Sequence, residues 1–453
     1  SKIIGGEIRL IEENGEPSTV ITCGTNLDNN ILVDLNGNIL IISCHDLTVA
    51  IGSNEYTEGL LEIAATAVSN TNPNFDKSVS TNKDIYTAVK IDRNGNDSGE
   101  LTVMAERLHK DVENHGILNL GRGELKDINI VNAEENDGTL NITGNVTNNN
   151  GIITQKNLSI AGGAQLTTDV ALLTVEDTSR AVDNQGTLLL TGEGEFAHGL
   201  SGTVGKFIID GTITAGTIAT DANKIENKTE IKTDGQLTVN ADNIGNSTVN
   251  NGILDLYNGG TVANSIIGTG TIKVSGTSAE LQIGEKDIIG SRQAVVVERG
   301  NTLSTNGNIT ELSSLELKND AVLNMQNKKE GSTDPVIETI TLNNLTTPKS
   351  GNAAQLKFDV QFNGTAKPAN DKIYLRNKGE GSMDVPDYDG EGENVTMGIR
   401  ITNELGNAGE VGSKATITLI EGDVAGMSLS DKVISYLGSY KYTFVRRAGT
   451  GIY

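Results

Sequence analysis

A glycine-led phrase recurs along much of the chain and constrains what this sequence can fold into. Each copy begins with a glycine and continues with alternating apolar and polar residues, as in Gly138-Thr139-Leu140-Asn141-Ile142. The clearest copies begin at Gly37, Gly99, Gly116, Gly138, Gly186, Gly235 and Gly252. Such alternation is typical of a strand with one buried face. Because so short a strand cannot bury that face alone, the copies must stack on one another.

The spacing between copies indicates which stacked fold the chain forms. From Gly116 onward, counting looser copies, the phrase returns about every 22 residues. This length holds three short strands with their turns, whereas a strand with a crossover helix and a second strand needs about 30 residues or more. Proline, which cannot donate a ladder hydrogen bond, is absent between Asn74 and Asp334. The sequence therefore predicts an all-β fold, a right-handed parallel β-helix (solenoid) with a C-terminal capping region.

The regularity of the repeat divides the chain into three regions. Residues 1–114 carry it irregularly, with a polar loop excursion near 69–96, and residues 115–352 carry it regularly. Residues 353–453 differ, because nine of the fifteen aromatic residues lie there. A stack needs its open end covered, since a terminal coil exposes an apolar face and an unpaired edge. We therefore predict that residues 353–453 form a C-terminal cap.

The charge balance argues against two classes of partner. Lys and Arg number 35 against 59 Asp and Glu, which gives a net charge of −24. Such a chain has no general electrostatic attraction to nucleic acid or to anionic lipid. No apolar run approaches the roughly 18 residues of a spanning helix. We therefore expect no nucleic-acid partner and no membrane insertion of this chain.

Two C-terminal phrases resemble a known family. Leu356–Val360 followed by Asn370–Leu375 is similar to the last passenger coils of bacterial autotransporters. The phrase Gly438–Tyr442, Gly-Ser-Tyr-Lys-Tyr, resembles a strand of their pertactin-like autochaperone region. The resemblance covers roughly residues 353 to 453. It departs from the family where Gly451–Tyr453 stands in place of an expected tryptophan.

This resemblance implies a passenger domain of type V secretion, built as a β-helix with a C-terminal autochaperone region. It implies an extracellular location at the bacterial cell surface, associated with the outer membrane. It also implies an outer-membrane β-barrel translocator in the precursor.

We interpret the chain as a non-enzymatic cell-surface or secreted passenger, a rod-like adhesin or cell-contact protein. Its expected partners are a host or bacterial cell-surface protein or glycan, or a second copy of itself. One alternative is a self-assembling structural subunit of a surface layer or fibre, and the third is a polysaccharide-active β-helix enzyme. The first contact regions to consider are Ser69–Asn96 and Lys378–Asn394.

No combination of residues in the sequence predicts catalysis. The chain has no tryptophan to stack on sugar rings, and it has no Gly-His-Gly phrase of the kind found in pectin-degrading enzymes. His109 and His115 lie near Glu113, but their spacing matches no compact metal-ligand pattern, so we expect an exposed charged stretch there. His198 is expected in a loop.

Two further groups of residues carry weaker predictions. Asp387, Asp389 and Glu391 are weak calcium candidates, because hard cations bind several carboxylates on a flexible backbone. A solvated loop is the alternative there, and no other cofactor is expected. Cys23 and Cys44 are 21 residues apart, close to one step of the repeat. On equivalent positions of successive coils their Cα atoms would lie about 5 Å apart, within disulfide range, although two buried free thiols are equally compatible with the spacing.

Overall fold

The computed structural model describes residues 78–104, 108–132, 137–285, 288–327, 336–348, 351–362, 368–377, 393–403, 416–424, 426–437 and 440–453, together with shorter pieces between residues 7 and 65. The chain divides into two compact units. Unit 1 comprises residues 1–215 and 221–228, and unit 2 comprises residues 216–220 and 229–453. No helix in the described ranges has the length and apolar character needed to cross a membrane.

Regular structure in unit 1 consists of short strands and two 3-10 turns, Val170–Leu172 and Asp221–Asn223. The strands are β1 (Glu7–Ile11), β2 (Pro17–Thr22), β3 (Leu32–Val33), β4 (Ile39–Ile42), β5 (Asp46–Leu47), β6 (Ala50–Ile51), β7 (Leu60–Ile63), β8 (Ser78–Thr81), β9 (Ala88–Ile91), β10 (Arg93–Asn94), β11 (Asp97–Ser98), β12 (Glu100–Val103), β13 (Val112–Asn114), β14 (Ile117–Lys126), β15 (Ile130–Val131), β16 (Thr139–Asn149), β17 (Ile153–Gln155), β18 (Asn157–Ile160), β19 (Gln165–Asp169), β20 (Leu173–Val175), β21 (Val182–Asn184), β22 (Thr187–Phe196), β23 (Leu200–Ser201) and β24 (Lys206–Ala215).

Unit 2 has the same character, with one 3-10 turn at Ala241–Asn243. Its strands are β25 (Lys228–Ile231), whose first residue belongs to unit 1, β26 (Gln236–Val239), β27 (Thr248–Asn250), β28 (Ile253–Tyr257), β29 (Gly260–Val262), β30 (Ile266–Ile267), β31 (Thr271–Ser275), β32 (Glu280–Ile283), β33 (Ala294–Val297), β34 (Thr302–Ser304), β35 (Glu311–Leu317), β36 (Val322–Asn324), β37 (Thr339–Thr346), β38 (Ala354–Gln361), β39 (Ala369–Asn370), β40 (Lys372–Leu375), β41 (Glu393–Asn403), β42 (Thr418–Glu421), β43 (Met427–Leu429), β44 (Lys432–Leu437), β45 (Tyr440–Val445) and β46 (Gly451–Ile452).

Parallel pairing between strands of successive coils builds unit 1. One stack runs β4, β7, β9, β13, β15, β17 and β20, and the antiparallel hairpin of β1 and β2 pairs with its first strand. A second stack runs β8, β12, β14, β16 and β18. In this second stack the inward leucines of four coils are in register, and each is at most 4% exposed: Leu101, Leu118, Leu140 and Leu158. The glycine-led phrases of the sequence thus form the buried face of the coils.

Unit 2 repeats this construction with two long parallel stacks and a shorter one of β25, β27 and β30. The first runs β26, β28, β31, β33, β35, β37, β40 and β42, and the second runs β29, β32, β34, β36, β38, β41 and β43. The last strands change direction. β46 pairs antiparallel with β42, and β44 and β45 form an antiparallel hairpin. The predicted all-β parallel solenoid is confirmed in both units.

We predict that the leucine column limits the stability of unit 1. Leu118→Ala removes a fully buried side chain between two leucines, and we expect a loss of about 3 kcal/mol of unfolding free energy. Ile117→Ala is the matched control, because Ile117 points outward on the same strand and is only partly buried. It should cost about 1 kcal/mol or less. Urea denaturation followed by circular dichroism measures both losses, and equal losses would contradict the assignment of the buried face.

Candidate functional site

The site residues predicted from the sequence fall largely outside the described residues. This holds for Cys23 and Cys44, for the calcium candidates Asp387, Asp389 and Glu391, and for most of the Lys378–Asn394 loop. Within the predicted excursion Ser69–Asn96, residues 69–77 also lie outside the described part. Residues 78–96 of the same stretch contain β8 and β9, which both pair in parallel stacks of unit 1.

A column of polar side chains crosses four successive coils at one corner of unit 2. It lies at the turns that lead from strands of the second stack of unit 2 to strands of the first stack. Two of its members, Asp359 and Arg400, lie on β38 and β41. We call it the corner column, and its members are Thr305, Asn327, Glu338, Asp359, Asp371 and Arg400.

One ion pair at the end of this column joins a buried carboxylate to a partly exposed guanidinium. Arg400 on β41 donates from Nε to Asp359 Oδ1 at 2.6 Å and from Nη2 to Asp359 Oδ2 at 2.7 Å. Nη2 also donates to the Asn327 carbonyl oxygen at 2.9 Å. Asp359 is 0% exposed. Two parallel charge-assisted bonds of this kind fix a guanidinium firmly on a carboxylate.

Asp371 holds the backbones of two strands together. Its Oδ1 accepts the Glu338 N–H at 2.9 Å, and its Oδ2 accepts the Asp359 N–H at 2.6 Å. Burial raises the pKa of Asp371 to about 7, although these two backbone donors act in the opposite direction. This residue is the aspartate of the Asn-Asp-Lys phrase that the sequence resemblance includes. Its structural task is to satisfy N–H groups at the corner.

Glu338 lies between the coil above and the coil below. Its Oε1 accepts the Thr305 hydroxyl and the Asn327 side-chain amide. Its Oε2 is buried and meets no described residue in good hydrogen-bonding geometry. Burial raises the pKa of Glu338 to about 8, and the negative charges of Asp371 and Asp359 add to this rise. Glu338 is therefore largely a neutral acid at pH 7.

The corner column is built to join coils. Backbone N–H groups and a guanidinium point at its carboxylates, whereas a metal centre needs carboxylate oxygens turned toward a cation. No group of three or more His, Cys, Asp or Glu residues with metal-binding geometry is found within the described ranges. Glu338 and Asp371 at this corner can bind and release protons.

A second titratable group is buried in unit 1. His115, 6% exposed, places Nδ1 at 3.0 Å from Asp137 Oδ1 and Nε2 at 2.9 Å from Glu113 Oε1. Burial lowers the pKa of His115, but its hydrogen bonds to the Glu113 and Asp137 carboxylates outweigh this effect, and the pKa is raised. The expectation of an exposed charged stretch is wrong for His115, because Asp137 of the next coil covers it. His198 does lie in a loop, where its Nε2 is 2.6 Å from the Val175 carbonyl oxygen.

Three corners carry an asparagine two residues before the glycine of the repeated phrase. The segments are Val112–Gly116, Val182–Gly186 and Thr248–Gly252. In the third, Asn250 Nδ2 donates to Gln293 Oε1 at 2.9 Å, two coils away, and Gln293 Nε2 donates back to the Asn250 carbonyl at 3.1 Å. The corresponding pairs are Asn114 with Gln155 and Asn184 with Asn227. We call these pairs the amide bridges.

Glycine in the middle coil makes each amide bridge fit. A Cβ atom on Gly270 would lie 2.8 Å from Asn250 Oδ1, and one on Gly138 would lie 2.7 Å from Gln155 Oε1. A side chain at either glycine would clash with a residue of the amide bridge. The strand pattern of the sequence did not predict these asparagines, although they recur two residues before glycine.

One open hollow lies on the outer surface of unit 1. It has a volume of about 670 Å³ and is lined by Gly121, Arg122, Gly123, Glu124, Asn145 and Thr147. The hollow lies where the pairing of β14 and β16 changes register between Leu120 and Arg122, and glycines allow the two strands to approach closely there. A Cβ atom on Gly144 would lie 1.5 Å from the Gly121 carbonyl oxygen. The walls offer a guanidinium, a carboxylate, an amide and a hydroxyl.

We predict that unit 2 depends on the Arg400–Asp359 pair. Arg400→Met leaves Asp359 buried without its counter-charge, and we expect a loss of about 3–5 kcal/mol of unfolding free energy in urea. Arg376→Met is the control, because Arg376 pairs with Glu311 near the surface. It should cost no more than about 1 kcal/mol. Equal losses of unfolding free energy in the two variants would show that the Arg400–Asp359 pair stabilises unit 2 no more than an ion pair near the surface does.

We predict that the stability of unit 1 falls with rising pH. Folded His115 binds its proton more tightly than the unfolded chain does, so its stabilisation is complete below pH 6.5 and is lost as pH rises through the folded pKa. Hydrogen exchange of β14 and β16, corrected for the intrinsic rate, measures the change. His115→Gln should remove this dependence, and His109→Gln, at an exposed position, should retain it. A dependence unchanged in His115→Gln would assign it to other groups.

Comparisons with known proteins are sparse. No protein-family model matches the sequence, and no curated protein does. Among solved structures, the Haemophilus influenzae Hap adhesin is similar, with a TM-score of 0.36 and 14% sequence identity over 92% of this chain and 48% of that one. This chain thus spans about half the length of the Hap structure. The stacked coils confirm the parallel β-helix that the sequence predicted.

Proposed function

We propose that this chain is a non-enzymatic passenger that presents its outer surface for adhesion or cell contact. The observation that carries the proposal is that four titratable side chains of the described residues are buried in contacts between coils. His115, Asp137, Glu338 and Asp371 are all at most 8% exposed, and each joins neighbouring coils by hydrogen bonds. Side chains engaged in this way serve the scaffold, which leaves outer faces and turns for recognition.

The hollow beside Arg122 and Asn145 is the contact surface that we propose. Its walls combine both charges with amide and hydroxyl groups, and exposed polar groups of this kind suit a cell-surface protein or a glycan. The hollow also lies on paired strands, which hold these side chains in fixed positions. We propose an extracellular location at the bacterial surface, with residues 353–453 acting as the autochaperone-like cap.

Self-assembly is the second candidate, and an apolar pair favours it. Val249 and Ile267 are opposite each other on neighbouring coils of unit 2 and are 38% and 51% exposed. Apolar side chains that stay exposed together can join two copies of a chain. The large negative charge opposes such contact at low ionic strength.

We predict that beads coated with the chain bind to epithelial cells or to immobilised glycans. Asn145→Trp fills the hollow and should weaken binding about tenfold or more, a cost of about 1.4 kcal/mol. Thr212→Trp is the matched control, because it adds the same side chain at an exposed position of β24 in the same unit. Bead counts by flow cytometry measure the effect.

Three outcomes decide between the candidates. Selective loss with Asn145→Trp supports the hollow as the contact surface. Equal binding by both variants removes the hollow from the proposal. If coated beads do not bind cells or glycans but aggregate with one another as the salt concentration increases, self-assembly is supported and adhesion is not.

A further inference from the structure

The corner column of unit 2 holds more acid than base. Glu338, Asp359 and Asp371 are 7%, 0% and 0% exposed, so all three carboxyl groups are removed from water. Within the described part of the unit, Arg400 is the one cation that bonds to any of them, and its guanidinium is engaged by both oxygens of Asp359. Two further buried negative charges would have no counter-charge. Such an arrangement is costly, and the carboxyl groups bind protons instead.

The hydrogen bonds indicate which carboxyl group holds its proton more tightly. Asp371 accepts two backbone N–H donors, which favour its ionised form. Glu338 accepts a hydroxyl and a side-chain amide on Oε1, and the Gly307 backbone also favours its ionised form, but burial outweighs these contacts and its buried Oε2 has no hydrogen bond of good geometry from a described residue. Glu338 is therefore the stronger proton-binding site.

Among the described residues, the elements packed around Glu338 supply no second counter-charge. The coil above contributes Thr305 and the Gly307 backbone, and the coil below contributes the carboxylates Asp359 and Asp371. Arg400 follows on β41 and is held by Asp359. Lys372, next to Asp371 in sequence, directs Nζ to Glu421 at 2.8 Å. Ionisation of Glu338 would therefore place like charges together in the corner.

We propose that Glu338 and Asp371 form a proton-operated latch between two successive coils of unit 2, which protonation closes and ionisation loosens. The two coils meet at this point through their backbones as well. The Glu338 N–H donates to Asp371, and the Lys372 N–H donates to the Glu338 carbonyl at 2.9 Å. Repulsion at the carboxyl groups therefore acts directly on the first residues of β37 and β40.

The direction of the pH effect follows from linkage. Both groups bind protons more tightly in the closed coils than in water, because burial raises the pKa of Glu338 to about 8 and that of Asp371 to about 7. Opening therefore releases protons between their ordinary values, 4.5 and 3.8, and these raised values. The coils are closed most firmly in acid and loosen as pH rises toward about 8.

Hydrogen exchange of the full chain tests the latch. We expect protection of β37 and β40, corrected for the intrinsic exchange rate, to fall about tenfold per pH unit or more between about pH 5 and pH 7. Glu338→Gln should make this fall clearly shallower, because the amide cannot ionise and Asp371 is then the one group of the pair that releases a proton on opening. Glu311→Gln, which alters a carboxylate paired with Arg376 near the surface, should keep the wild-type fall.

The proposal fails if the corrected protection of wild-type β37 and β40 stays constant from about pH 5 to pH 8. It also fails if Glu338→Gln retains the wild-type dependence. Should that variant not fold, the wild-type exchange profile still decides. Infrared spectroscopy gives a second reading, since a buried neutral carboxylic acid should be detected at neutral pH in the wild type and in Glu311→Gln, and its absence contradicts the latch.

Discussion

Parallel pairing between coils sets each side chain beside the residue at the same position of the next coil, about 4.8 Å away. Apolar positions therefore form continuous columns, as Leu101, Leu118 and Leu140 do in unit 1. Charged positions are stabilised where they alternate in sign, as Glu62, Lys90 and Glu113 do on three successive strands. Like charges at the same position of neighbouring coils would repel each other. The permitted residues at each position are thus set chiefly by the coil above and the coil below.

Corners impose a second demand, because turns leave backbone N–H and C=O groups without ladder partners. This chain meets the demand with side chains that reach into other coils. Asp371 accepts two N–H groups from neighbouring strands, and Asn250 donates to the Thr271 carbonyl of the next coil at 3.0 Å. Buried polar side chains in these units are concentrated at such corners. Their burial stabilises the stack only because they find partners.

The sequence predicted the strands better than the corners. Alternation over five residues was enough to place Leu140 and Ile142 on a buried face, since that pattern depends on local geometry alone. The corner column could not be found in this way. Glu338 and Asp371 are 33 residues apart, and Asp359 occupies an outward position of β38 that alternation assigns to solvent. It is buried because Arg400 and Asn327, from other coils, cover it.

The amide bridges change the cooperative unit of the solenoid. Stability in a repeat protein is commonly a sum of nearest-neighbour terms. Asn250 and Gln293 add a term between second neighbours, and Gly270 in the coil between them must remain without a side chain. A coil inserted or deleted between the partners would leave two buried amides unmatched. Such three-coil blocks can be duplicated or lost in evolution only as a whole, whereas coils outside them can be gained one at a time.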